Sequence, residues 1–189
     1  MNNYESMSFN FGPTLLSWME KHAPYAYERI IKADIRSVSE HGGHGNAIAQ
    51  VYNHMIMPLA NERDKQTQVK WGINDFKTRF GREPEGMWLA ETAVDDDTLR
   101  VLVENGIKFT ILSPYQAQKV KKITENEWQD VSWGSIDPAR AYRYYIKSAP
   151  GKYMLSLQVP PRLFWKRKSY PQHYTWPESA LISLQATTL

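Results

Sequence analysis

The sequence predicts an α/β fold whose parallel strands are joined by crossover helices. Three observations predict it. Short apolar runs alternate with amphipathic stretches of helical length along the first 112 residues. The resulting order is strand, two helices, strand, helix, strand, helix, strand, the pattern of right-handed crossovers feeding a parallel sheet. With 189 residues, 42% of them apolar, the chain is also long enough for one domain with a real core.

The elements follow in order. Residues 7–11 alternate apolar and polar as a strand does, and Gly12-Pro13 stops them. Pro13 and Thr14 open a short helix with Leu15, Leu16, Trp18 and Met19 on its apolar face. A second helix starts at Pro24, carries Tyr27, Ile30, Ile31, Ile35 and Val38 at helical spacing, and ends near Glu40, before Gly42-Gly43. Residues 47–52 form a short buried strand. From Glu62 to Phe80 a longer helix aligns Val69, Ile73, Phe76 and Phe80, with Gly81 just past its end. Residues 86–89 are the next strand. Asp95, Asp96 and Asp97 suit the positive end of a helix that buries Leu99, Leu102 and Val103 and stops at Asn105-Gly106. Residues 107–112 make a last strand, halted by Ser113-Pro114. Beyond it a Lys-rich stretch and a loop entering a strand near Ile146 are readable, and past Tyr153 no template fits. The chain therefore divides into a body, residues 1–154, and a basic tail with several Pro and aromatic residues, 155–189, expected to be irregular.

Composition closes several function classes. Cysteine is absent, which removes disulfides, thiolate zinc sites and thiol nucleophiles together. No apolar run approaches a membrane span, and the first residues lack the regions of a secretory signal, so a cytoplasmic protein without a membrane partner is expected. The pI of 9.0 raises the question of nucleic acid. The tail's Arg162, Lys166, Arg167 and Lys168 stand against Glu178 alone and account for the whole net charge of +3. A neutral body argues against a nucleic-acid partner.

In α/β folds chemistry gathers at the C-terminal ends of the strands. The polar residues at those ends are Asn10, His54, Glu91 and Ser113. Glu91 leads, because it ends a strand with apolar flanks and no local counterion, and a buried or half-buried carboxylate needs a partner or a task. It could be a nucleophile, a general base or a metal ligand. His54 is either a core histidine satisfied by a carbonyl or a binding residue beside the site. Trp88 is core by period, although a ring so near the rim could stack on a sugar face. The His41-Gly-Gly-His44-Gly45 turn precedes a strand and lacks a Lys, which fits a flexible turn better than a phosphate loop or metal pair. The three aspartates read most simply as helix capping, with a catalytic Asp as the alternative.

Three ordered motifs carry a resemblance. They are Ser8-Phe-Asn-Phe-Gly-Pro-Thr-Leu-Leu-Ser-Trp18, Gly43-His-Gly-Asn-Ala-Ile-Ala-Gln-Val-Tyr-Asn-His54-Met-Ile-Met-Pro-Leu59 and Glu85-Gly-Met-Trp-Leu-Ala-Glu91-Thr-Ala-Val-Asp95. Together they resemble glycoside hydrolase family 57, in particular its large bacterial and archaeal members with an added domain of unknown function, over about residues 6–152. The resemblance implies part of a (β/α)7 barrel, an incomplete relative of the TIM barrel. It further implies α-glucan substrates, retaining hydrolysis or transglycosylation through a glycosyl-enzyme, and no cofactor or metal. The family's nucleophile falls on Glu91, with Ala90 where the family usually has Pro, and its second-motif histidine falls on His54, lining the sugar subsite. Asn10 and Trp88 are further substrate-binding candidates.

The same comparison shows two departures: the family's opening His-Gln-Pro strand and its later Asp-Gly-Glu motif, source of the acid/base, are not found. The expectation is a fragment, with residues 155–189 a foreign or frameshifted reading. Loss of a positioned acid costs about 10²- to 10⁴-fold, so weak turnover and self-association through open barrel edges are expected. Two rivals stand beside this reading. One is a non-catalytic carbohydrate-binding or pseudogene product. The other is a metal-dependent polysaccharide deacetylase, for which only His54 is well placed.

Overall fold

A computed structural model of the chain describes residues 2–151, 153–158 and 182–186. Among the described residues four α-helices and eight strands follow in the order α1 (Pro13–His22), α2 (Pro24–Glu40), β1 (Ala49–Gln50), α3 (Glu62–Phe80), β2 (Gly86–Trp88), α4 (Asp96–Glu104), β3 (Phe109–Leu112), β4 (Ala117–Lys122), β5 (Gln129–Asp130), β6 (Ala141–Tyr145), β7 (Tyr153–Gln158) and β8 (Ile182–Ala186). The sheet order is β1-β2-β3-β7-β6-β8-β4-β5. β1, β2, β3 and β7 run parallel, as the crossovers require. β5 and β6 pair antiparallel with their neighbours.

The helix ends obey their sequence signals. Pro13 and Pro24 occupy first-turn positions, where a missing N–H costs nothing. The Asn61 side chain caps α3 by accepting from the Asp64 N–H, and Gly81 closes that helix at φ 68°. The Asp95 side chain caps α4 through the Thr98 N–H.

Strand lengths depart from expectation. The strand at 7–11 reduces to one parallel bridge, Phe9 to Ala47, and the strand at 47–52 to Ala49–Gln50. The Lys-rich stretch is β4, which the sequence hides because one face of a half-exposed strand can be all lysine. Two strands are described within or at the edge of the stretch expected to be irregular. β7 reaches Gln158 in register with β3, Phe109 opposite Leu155, and β8 pairs with β4. The apolar run at 154–157 is a sufficient strand signal, outweighed in the sequence by its Pro-rich surroundings. The rest of 155–189 lies outside the described residues.

The helices cover one face of the sheet. Phe9 meets Phe80 of α3 at 6.4 Å, and a methyl added at Gly72 of α3 would reach Met87. The strand residues of that face, Ala47, Ala49, Val51, Met87, Leu89, Thr110 and Leu112, are all buried. Of the residues of opposite parity Gln50 and Gly86 are buried, while Asn10, Ile48, Trp88, Phe109 and Ile111 are half-buried, so the inner face is covered in part.

Two helix faces differ from their apolar pattern. Leu15, Trp18 and Ile35 are exposed, while Asp34 and Ser37 of α2 are buried. The charge decides the rotation of α2: Arg82 holds both Asp34 oxygens at 2.8 Å and Asp34 accepts the Ala47 N–H at 2.7 Å. A buried carboxylate must keep such partners, and that requirement outweighs burying one Ile. Among the described residues no helix is long and apolar enough to cross a membrane.

Candidate active site at the strand ends

β1 and β2 are adjacent and parallel, with Gln50 beside Trp88. A few residues beyond, each chain segment enters the left-handed region: His54 at φ 51°, Glu91 at φ 53° and Thr92 at φ 55°. Among the described residues Trp133 is the one other non-glycine with such a φ. Each left-handed residue costs on the order of 1–3 kcal/mol, and Thr, being β-branched, tolerates it poorly. Strain thus concentrates at two neighbouring strand ends, which is where function often keeps it.

The result is a pair. His54 Nε2 lies 3.8 Å from Glu91 Oε1, beyond hydrogen-bond length but within reach of a charge. The Glu91 side chain is 75% exposed and that of His54 56% exposed. The expectation of a buried or half-buried Glu91 is therefore corrected. With its backbone in the left-handed region, the side chain reaches solvent beside the imidazole of His54. The core reading of His54 falls for the same reason.

Glutamines hold both exits. Gln68 of α3 accepts the Tyr52 N–H through its backbone and the Asn53 N–H through its side chain, at 3.3 and 2.8 Å. Gln116 is fully buried; its Oε1 accepts the Ser113 N–H at 2.9 Å and its Nε2 donates to the Thr92 carbonyl at 2.8 Å. Thr92 also donates its N–H to the Leu89 carbonyl and its hydroxyl to the Glu91 carbonyl. Sequence reasoning missed both glutamines. The Ser113-x-x-Gln116 spacing is a capping-box signature and could have found one of them.

The three aspartates are committed to structure. Asp95 meets the buried Lys65 at 2.8 Å; burial opposes its ionisation, but the bonds from Lys65 and Thr98 outweigh it and lower its pKa. Asp96 accepts from Tyr144 Oη at 2.7 Å and from the backbone of Lys147 and Ser148, which again overcomes burial and lowers its pKa. Burial and the Asp96 charge together push the Tyr144 hydroxyl well above the usual tyrosine range. Asp97 leans on Arg100 at 3.8 Å. Both carboxyls are thus held toward the ionised form by structural partners.

Asn10 and Trp88 join the inner face rather than the pair. Asn10 Nδ2 donates to Gln50 Oε1 at 2.8 Å, and Gln50 is the register neighbour of Trp88. His44 of the glycine turn binds Glu85 at 2.8 Å. Among the described residues no group of three or more His, Cys, Asp or Glu could hold a metal ion.

A model of glycosyl hydrolase family 57 matches residues 3–162. The chain belongs to that family. It is 26% identical over 106 residues to alpha-amylase 1 of Dictyoglomus thermophilum, covering 56% of this chain and 15% of that protein. It is 23% identical over 109 residues to a 4-alpha-glucanotransferase of Thermococcus litoralis, covering 58% and 16%. Among solved structures, the 4-alpha-glucanotransferase of Thermococcus litoralis matches with a TM-score of 0.61 at 16% identity, over 86% of this chain and 22% of that one. A maltose-forming exo-type amylase of Pyrococcus sp. ST04 matches with a TM-score of 0.58 at 19% identity, over 82% and 23%. These likenesses show the fold: an α/β arrangement forming part of the family's (β/α)7 barrel. The chain spans about a sixth of the length of the curated relatives it matches.

Proposed function

We propose that this chain carries the nucleophile half of a retaining α-glucan-acting site, with Glu91 attacking the anomeric carbon and His54 beside it in the sugar subsite. One observation carries the reading: the exposed Glu91 carboxylate stands on a strained backbone in the turn that follows β2, 3.8 Å from His54 in the loop that follows the neighbouring parallel strand β1. Family membership supports an α-glucan as substrate, and the family-57 relatives include an alpha-amylase and a 4-alpha-glucanotransferase. Trp88 and Asn10, on the half-open inner face, are the further sugar contacts. Attack forms a glycosyl ester on Glu91 while the leaving group departs with the bonding electrons. An activated glycosyl fluorosugar needs no proton donor for that departure, so it tests the nucleophile alone. The wild-type chain is expected to gain one glycosyl mass on the peptide holding Glu91, and labelling elsewhere refutes the assignment.

A second reading, glucan binding without turnover, is favoured by the engagement of Asp95 and Asp96, which leaves neither as an acid/base beside Glu91. Calorimetry with maltooligosaccharides alongside an activity assay separates the two: heat of binding without product selects the second. The incompletely covered inner face also supports self-association. Sedimentation is expected to show species larger than a monomer at micromolar concentration, and a monodisperse monomer contradicts it.

A further inference from the structure

Gln116 has no charge, no exposure and no place in the motif of the candidate site, yet it joins the two segments that end β2 and β3. Its amide is used at both ends, Oε1 on the Ser113 N–H and Nε2 on the Thr92 carbonyl. The second bond falls on a residue at φ 55°, next to Glu91 at φ 53°. Two consecutive left-handed residues, one of them β-branched, relax unless the surroundings hold them. The local bonds of Thr92, N–H to Leu89 and hydroxyl to Glu91, close the turn on itself, whereas Gln116 ties the Thr92 carbonyl to the segment that follows β3. Thr92 is itself buried, so its carbonyl has no water to fall back on if the amide is removed.

We propose that Gln116 is a positioning residue for Glu91: it clamps the Thr92 carbonyl and so holds the carboxylate at the mouth of the sheet beside His54. The inference rests on the proposed role of Glu91 as nucleophile. A displacement of about 1 Å at a reacting group costs on the order of a hundredfold, so loss of the clamp acts on rate before it acts on binding.

The test uses the full chain and two readouts. Solution NMR couplings between amide and α protons, read together with the strong intraresidue amide–α-proton NOE that a positive φ gives, report φ at Glu91 and Thr92, and mass spectrometry follows glycosyl labelling of Glu91 with time. Gln116→Met removes both bonds at similar volume. Gln116→Glu keeps the acceptor for Ser113 and sets an oxygen against the Thr92 carbonyl. Both are expected to lose the left-handed couplings and to slow labelling by about ten- to a hundredfold, with little change in the half-saturating fluorosugar concentration. Adding Thr92→Gly to Gln116→Met removes the Cβ that makes this backbone costly and is expected to restore both readouts toward wild type. Arg82→Met, at the opposite end of the strands, is the control: it lowers the melting temperature but leaves couplings and labelling rate unchanged.

Variants with wild-type couplings overturn the inference, and so do variants with altered couplings that label at the wild-type rate. If the glutamine variants do not fold, wild-type couplings at Glu91 and Thr92 outside the left-handed range still overturn it, and Thr92→Gly alone is expected to keep them. A wild-type chain that takes no label defeats the proposed role of Glu91, while the couplings continue to decide whether Gln116 holds the turn.

Discussion

Replacing Lys65 by Met tests how the turn carrying Glu91 is anchored to α3. The Lys65 side chain is 5% exposed, and its ammonium lies 2.8 Å from Asp95, the cap of α4 four residues after Glu91. Met keeps most of the apolar stem and removes the charge. Breaking a fully buried pair from one side costs roughly 3–5 kcal/mol. Asp95 is a quarter exposed and keeps the Thr98 N–H, so water and the helix terminus recover part of that, leaving about 2 kcal/mol. In a domain of this size that lowers the melting temperature by about 4–8 °C.

The acid limb gives an independent check on sign. The Asp95 pKa is lowered in the fold, so its contribution is present above the unfolded carboxylate value and lost as pH falls through the folded one. Without Lys65 the folded value rises and acid unfolding begins at higher pH. Thermal melts at pH 7 and an acid titration followed by circular dichroism measure both effects. In an Asp95→Asn background the same substitution should cost far less. An unchanged acid midpoint, or an equal loss in both backgrounds, refutes the pairing.

Gly72→Ala should destabilise by about 1–3 kcal/mol in urea titration, although Ala is the better helix former by about 1 kcal/mol. The added methyl would stand 2.2 Å from the Gln50 carbonyl oxygen, which is backbone of β1 and cannot move aside. Glu85 has its pKa lowered by Lys108 first and His44 second, so the ties it makes at the lower end of the sheet weaken as pH falls through that value. His44→Ala is expected to raise the pH at which acid unfolding begins, and an unmoved midpoint contradicts the contact.

The helices and the order of crossovers were legible because they follow local chemistry: Pro at first turns, Asn61 and Asp95 at caps, Gly81 at an end. The candidate site was legible only as a rim, since the parallel topology sends the segments carrying His54 and Glu91 to one end of the sheet. What the sequence hid was conformation and partnership. No pattern announces a left-handed Glu, so Glu91 read as a half-buried carboxylate when it is exposed. Buried polar residues such as Asp34, Lys65 and Gln116 look like surface positions until the elements that satisfy them are known. β7 and β8 escaped notice because one lies among prolines and the other pairs with a strand rich in lysine.

The central claim is that Glu91 is the nucleophile. Incubation of the chain and of Glu91→Gln with an activated fluorosugar of the α-gluco series, followed by peptide mass spectrometry, tests it most directly. The account predicts one glycosyl group on the wild-type peptide containing Glu91 and none on the variant. Equal labelling of both proteins would contradict it.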